Sequence, residues 1–324
     1  MTWNPLLAIL SVSYGGVAGA RNALYDRRWL RPRRLQGPVI SVGNLSTGGS
    51  GKTPFVMLLG ELLKERGIRF DVLSRGYGRK TQGVMLVDPG GLPRDFGDEP
   101  LLIARRLQAP VVVGESRYEA GQFAETRFGA QVHLLDDGFQ HRGLARDFDI
   151  VLVTPDDARD RLLPAGRLRE SLHSLHRADA VVLTGGAAAE SFPLQGKTVW
   201  RVRRGIVTQN IPQSVPARPV VFCGIARPQN FLLQLRAAGI DSAAEAFFRD
   251  HHAYTDKDVR ELLELRERSG AGGFVTTEKD AVNLGGYLTG LAPLAVIPVK
   301  MELADAANAV DTMLRVIEER RRCS

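Results

Sequence analysis

Residues 44–53 read NLSTGGSGKT, and their types and spacing suit the holding of a phosphate. Gly48, Gly49 and Gly51 let backbone amides curl around an anion, Lys52 can reach the outer phosphates, and the Thr53 hydroxyl can bind magnesium while opening a helix. With Thr47 and Ser50 completing the turn, residues 47–53 are a candidate nucleotide cradle. The usual pattern, G-x-x-x-x-G-K-[ST], places a glycine where this chain has Ser46. That position lies farthest from the amides around Gly51 and Lys52, and a small serine with relaxed φ/ψ demands is compatible with it. A glycine turn can also be purely steric, so the setting matters. Here PVISVG (38–43) reads as a strand before the loop, and Phe55, Leu58, Leu59, Leu62 and Leu63 fall at helical spacing after it.

Other charged groups recur at strand ends. VHLLDDGFQH (132–141) is an apolar strand ending in Asp136 and Asp137, placed to meet a nucleotide-bound magnesium, although an acidic turn is the plainer reading. GDEP (97–100) puts Asp98 and Glu99 ahead of a helix. Asp98 could be an N-cap, or it could accept the proton of an attacking hydroxyl while Glu99 helps hold the metal. SRGYGRK (74–80) offers Arg75 and Arg79 to phosphate and Tyr77 for stacking, or is a solvated basic loop. In RDHHAYTDKD (249–258), zinc is discounted because His251 and His252 are adjacent and lack a spaced third ligand. One of the two could pair with a carboxylate across a cleft, or be a satisfied surface histidine. PAGRLRE (164–170) and TTEKD (276–280) carry charges beside turns, where capping and surface pairing explain most cases.

These groups need a scaffold with its strand ends on one edge. FDVLS (70–74), PVVVG (110–114), VHLLD (132–136), DIVLV (149–153) and AVVLT (180–184) continue the strand series as apolar runs, the mark of strands covered on both faces. Helices expected near 99–107, 116–127 and 168–177 supply crossovers, giving an open, doubly wound, mostly parallel α/β sheet. Residues 185–217 read as a linker containing a strand TVWRV (198–202). The rhythm restarts at PVVFCGI (219–225), with helices over 229–238, 256–267 and 303–321 and strands GGFVTT and LAVIPV, a second, smaller α/β unit. The expected division is 1–36, 37–205 and 206–324.

Apolar content of 44% and charged content of 24% over 324 residues exclude bulk disorder and a polytopic membrane protein. Cys223 and Cys323, without C-x-x-C spacing, point to a reducing compartment and no zinc site. PLLAILSVSYGGVAGA (5–20) is shorter than the roughly 20 residues of a spanning helix, and its arginines follow the apolar run, unlike a signal peptide. Arg21, Arg27, Arg28, Arg31, Arg33 and Arg34 come next, opposed by Asp26 alone. A helix in the membrane interface, facing anionic headgroups, fits this pattern; packing on the protein's own core is the alternative.

In order, SVGNLSTGGSGKTP, LSRGYGR, GDEP, LLDDGFQHR, LLPAGRLRE, FFRDHHAYT and TTEKDAV resemble the tetraacyldisaccharide 4'-kinase (lipid A 4'-kinase) family over about residues 38–283. The resemblance implies a P-loop core, a smaller C-terminal domain and a membrane-resting N-terminal helix. It implies ATP-dependent phosphorylation of the 4'-hydroxyl of a tetraacyl disaccharide 1-phosphate at the cytoplasmic face of the bacterial inner membrane. Neither nucleic acid nor an obligate protein partner is expected. Carried over, Lys52 and Thr53 hold triphosphate and Mg2+, Glu99, Asp136 and Asp137 complete the metal site, and Asp98 with His251 forms the acid–base pair. Arg75, Tyr77, Arg79, Arg117, Arg169 and Glu170 are the expected substrate contacts. Arg167 stands where the family usually has proline. The rivals are a membrane-cycling nucleotide switch, whose signature lysine is replaced by Thr47, and a P-loop ligase or metal-insertion chaperone.

Overall fold

The computed structural model describes residues 5–206 and 215–323. The first four residues of the N-terminal segment and positions 207–214 of the expected linker lie outside the described residues.

After helix α1 (Pro5–Asp26), the chain enters strand β1 (Val39–Asn44) and helix α2 (Lys52–Glu65). Next come β2 (Phe70–Ser74), β3 (Met85–Leu86), α3 (Pro93–Phe96), α4 (Asp98–Leu107), β4 (Val111–Val113) and α5 (Arg117–Phe128). Then follow β5 (Val132–Asp136), β6 (Phe148–Val153), β7 (Ala180–Leu183) and β8 (Thr198–Ile206). The remainder is β9 (Val220–Cys223), α6 (Pro228–Ala237), β10 (Ala244–Phe247), α7 (Asp256–Ser269), β11 (Phe274–Thr277), α8 (Glu278–Leu284), β12 (Leu294–Ile297), β13 (Val299–Leu303) and α9 (Ala306–Arg322).

The large sheet runs β13-β8-β7-β6-β1-β5-β2-β4-β3, parallel except at its two edges, where β3 and β13 pair antiparallel. β1 lies between β5 and β6, with Val42 beside both Asp136 and Ile150. Alternate residues of each central strand feed opposite layers. Ile40 and Val42 pack with Phe55, Leu59, Leu101 and Val310, whereas Val39, Leu73 and Leu135 pack with Leu35 and Ala124. Burial on both faces is what the unbroken apolar runs required. The second sheet, β10-β9-β11-β12, is wholly parallel.

Three expectations change. Residues 168–177 form only a short 3₁₀ turn at Leu172–Arg177. Their leading residues spend their backbone groups elsewhere: the Arg169 amide donates to the Leu45 carbonyl at 2.6 Å, and Leu168 bridges both Ser46 and Leu162. LAVIPV is not one strand, because Pro298, which has no amide to donate, separates β12 from β13. The chain there changes sheets, so residues 299–322 pack with the large sheet: Met301, Leu303, Val310, Met313 and Ile317 join its core.

Helix α1 leaves Ile9, Val12 and Val17 at 64%, 76% and 73% exposure. Its other side is tied down by polar groups: the Ser11 hydroxyl donates to the Leu162 carbonyl (2.9 Å), Asn22 donates to Glu170 (2.5 Å), and Arg142 pairs with Asp26 (2.7 Å). No described helix is long and apolar enough to cross a membrane.

Candidate functional site

The loop between β1 and α2 has Gly48, Gly49 and Gly51 at φ 79°, 54° and 88°, left-handed conformations that glycine adopts without cost. Ser46 is extended against Leu168 in an isolated bridge and needs no such freedom, which is why the missing glycine leaves the loop whole. Asn44, at the end of β1, braces the loop from beneath. Its amide donates to the Ser46 carbonyl and the Ser50 hydroxyl, both at 2.7 Å, and its Oδ1 accepts from Lys52 Nζ at 3.1 Å and from Arg169.

β5, beside β1, ends in Asp136, and the chain turns at Asp137 with φ 51°. Arg169 grips Asp137 through two parallel hydrogen bonds (2.9 and 3.0 Å), and Lys52 approaches at 3.5 Å. Burial works to raise the Asp137 pKa, but the two cations outweigh it and hold the carboxyl below its usual range. Asp136 is the opposite case. Burial first, then the charges of Glu99 and Asp137, push it up to about 7. Its Oδ2 accepts from the Ser74 hydroxyl at 3.3 Å, while its buried Oδ1 has no hydrogen-bond partner among the described residues.

Across the cleft, α4 begins at Asp98. Gly97, φ 91°, is forced by close approach as well as by conformation, since a Cβ there would stand 2.9 Å from the Tyr77 carbonyl oxygen. Asp98 is therefore the first helical residue, not the cap, and its carboxylate is 6% exposed. Three groups of the second sheet's lobe converge on it. His251 Nδ1 lies 2.8 Å away and Asn283 Nδ2 3.3 Å, with Lys279 Nζ at 3.8 Å. Burial opposes ionisation of Asp98, yet His251 and Lys279 prevail and lower its pKa; the same hydrogen bond raises that of His251 against burial. Tyr77 places its ring 5.5 Å from the imidazole of His251.

Lys279 belongs to the TTEKD stretch, read above as capping. It also reaches Asp250 (2.7 Å) and donates to His251 Nε2 (3.2 Å). Thr277 caps α8 through the Asp280 amide (3.1 Å), and the buried Asp280 carboxylate accepts from the Gly224 amide and the Tyr254 hydroxyl. The stretch is thus a strand-to-helix turn at the cleft edge, the same signal that marked residues 44–53. His252 is structural: it pairs with Asp258 at 3.1 Å and stacks on Phe248.

Between the two sheets lies a cleft of ≈ 910 Å³, lined by Gly49 to Thr53, Glu99 and Lys279 among others. Arg117 is buried, donates to the Gly114 carbonyl (3.2 Å) and keeps an unpartnered Nε among the described residues; burial brings its pKa down to about 10, with Asp136 and Asp137 opposing. Burial and the charges of Arg117, Arg146, Arg21 and Arg75 depress His141 to about 4. Arg117 thus sets a positive charge near the Asp136 carboxylate.

Two expected substrate contacts are otherwise engaged. Arg79 pairs with Glu115 (2.5 Å) and donates to the Gly83 carbonyl, bracing its own loop. Glu170 is buried against Arg177 (2.8 Å) and Ser174 and accepts from Asn22, anchoring α1. Thr47 is exposed and hydrogen-bonds Arg167. Arg167 pairs with Asp160 at 2.7 Å. Asn44, His141, Lys279 and Asn283 had no assigned role in the sequence.

The family described as tetraacyldisaccharide-1-P 4'-kinase matches residues 3–318. Among curated proteins, the chain is 50% identical to the tetraacyldisaccharide 4'-kinase of Koribacter versatilis (strain Ellin345), over 98% of this chain and 99% of that one. It is 39% identical to that of Aquifex aeolicus (strain VF5), over 86% and 89%. The crystal structure of LpxK from Aquifex aeolicus in complex with ATP superposes with a TM-score of 0.79 at 36% identity, covering 96% of this chain and 98% of that one. Phosphate loop, paired carboxylates and full-length likeness together place this chain in the tetraacyldisaccharide-1-phosphate 4'-kinase family.

Proposed function

We propose that this kinase transfers the γ-phosphoryl group of ATP to the 4'-hydroxyl of a tetraacyl disaccharide 1-phosphate, in lipid A biosynthesis, at the cytoplasmic face of the bacterial inner membrane. One observation carries the reading: the buried Asp98 carboxylate and His251, on different lobes, meet at 2.8 Å beside the cleft that holds the phosphate loop. A switch that only binds nucleotide needs no such pair.

The phosphate-loop amides and Lys52 bind the triphosphate, with Asn44 and Arg169 fixing the lysine's neighbourhood. The donor set fits magnesium. Asp136 offers a buried oxygen without a partner among the described residues, Thr53 a hydroxyl, and Glu99 and Asp137 further carboxylates, with the Asp136 pKa raised by burial and by the charges of Glu99 and Asp137. Magnesium is commonly bound through one or two carboxylates together with substrate phosphate oxygens. When bound, the ion neutralises charge on the phosphates.

Asp98, kept ionised by His251 and Lys279, accepts the proton of the sugar hydroxyl, and His251 Nδ1–H donates to the carboxylate and holds it in place. Lys279 orients the imidazole through Nε2. Arg75 and Arg117 supply positive charge for the substrate's own phosphate. The exposed apolar residues of α1, followed by clustered arginines, rest on anionic lipid and bring the cleft to an acylated acceptor. The test is incubation with γ-labelled ATP and the lipid in mixed micelles. Label should move to lipid with wild type and not with Lys52→Ala; label released only as free phosphate contradicts the assignment.

A further inference from the structure

The turn after β9 lies directly on the phosphate loop. A Cβ added at Gly49 would stand 3.3 Å from Ala226 Cβ and 3.4 Å from Arg227 Nε, so the Arg227 side chain passes over the outer turn of the loop from the opposite lobe. Its guanidinium is paired with Asp156 at 2.9 Å, a carboxylate of the 3₁₀ turn that follows β6. That tether is weak, because Asp156 is 59% exposed. It is also contested, since Arg167 approaches the same carboxylate at 3.6 Å. Arg204, lining the same cleft, has its pKa lowered by burial and by the charge of Arg227. Two guanidinium groups thus share one exposed carboxylate next to a loop shaped for phosphates, with the charge of Arg227 felt by Arg204.

We propose that Arg227 is a ligand of the terminal phosphate of a nucleoside triphosphate held on residues 47–53, and that Asp156 competes with that phosphate for the same guanidinium. This rests on reading the loop as the nucleotide cradle. A guanidinium fork matches a phosphate better than it matches a screened surface carboxylate. The exchange gives the second lobe a direct grip on the bound triphosphate, and it distinguishes triphosphate from diphosphate, in the manner of an arginine finger supplied by the same chain.

Titration calorimetry with ATP and with ADP, without lipid, tests this on the full chain in wild type, R227A, R227K, D156A and the R227A/D156A double variant. R227A should weaken ATP by about tenfold or more, the scale of a charge-assisted pair, and leave ADP unchanged. R227K should fall between, keeping the charge without the fork, and guards against misfolding of R227A. D156A should tighten ATP, and that gain should vanish in the R227A background. The proposal is overturned if R227A weakens ATP and ADP alike, or if the gain from D156A persists without Arg227. Wild type binding neither nucleotide would instead remove the cradle reading on which it rests.

Discussion

Asp98→Asn keeps the volume of the side chain and removes its charge, which makes it the sharpest perturbation of the interlobe pair. In the wild type one 6%-exposed carboxylate faces His251 at 2.8 Å, Asn283 at 3.3 Å and Lys279 at 3.8 Å. At 3.8 Å and an effective dielectric near 20, the lysine attraction alone is about 4 kcal/mol. Part of that offsets the cost of burying both charges, so removing one partner should destabilise the closed arrangement by roughly 3–5 kcal/mol. Loss of a positioned base should lower kcat by a further factor of about 10² to 10⁴. The nucleotide meets the loop on the other wall, so ATP affinity should hold. Single-turnover transfer, ATP titration and chemical denaturation on the same preparations separate these effects. Full kcat in Asp98→Asn would refute the assignment of Asp98 as base; a loss of ATP affinity equal to the loss of rate would make the residue structural.

Lys279→Met should lower kcat more than it raises KM for ATP, because the ammonium contacts Asp98, Asp250 and His251 rather than the phosphate loop; steady-state kinetics in both substrates check it. Replacing Ile9, Val12 and Val17 together by serine should shift the protein off anionic vesicles in a sedimentation assay without changing its melting temperature, since these side chains are largely exposed. His141 remains neutral in the fold down to about pH 4, whereas in the unfolded chain it takes a proton near 6.5. Stability is therefore lost as pH falls from about 6.5 towards 4, by an amount that solvent screening of this half-buried ring reduces. Denaturation of wild type and His141→Gln at pH 7 and pH 5 should show the smaller drop in the variant.

The phosphate loop and central strands were legible because each rests on local chemistry: glycine φ freedom, helical spacing in 55–63, and apolar runs covered on both faces. Asp98 and His251 were legible as types, and their pairing was implied by the family resemblance; the residues alone did not show it, since 153 residues separate them and the packing of α4 against the second lobe brings them together. Lys279 was passed over because a charge after a strand is ordinary on a surface; the turn is instead fixed at the cleft by Asp280, Thr277 and Tyr254. Glu170 and Arg79 carry fold contacts that their motifs did not announce. Each sits in a charged loop motif, and each is spent on fold, one anchoring α1 and the other closing its own loop. The β13–α9 return to the large sheet escaped notice because periodicity identifies an element without naming its partner, and Pro298 was the available hint.

The most direct measurement is the mass and 31P NMR spectrum of the lipid after reaction with ATP. A single new phosphomonoester on the 4'-oxygen, absent with Lys52→Ala and strongly reduced with Asp98→Asn, is the expected result. Stoichiometric ADP with the lipid unchanged in mass, or phosphate at a different oxygen, would contradict it.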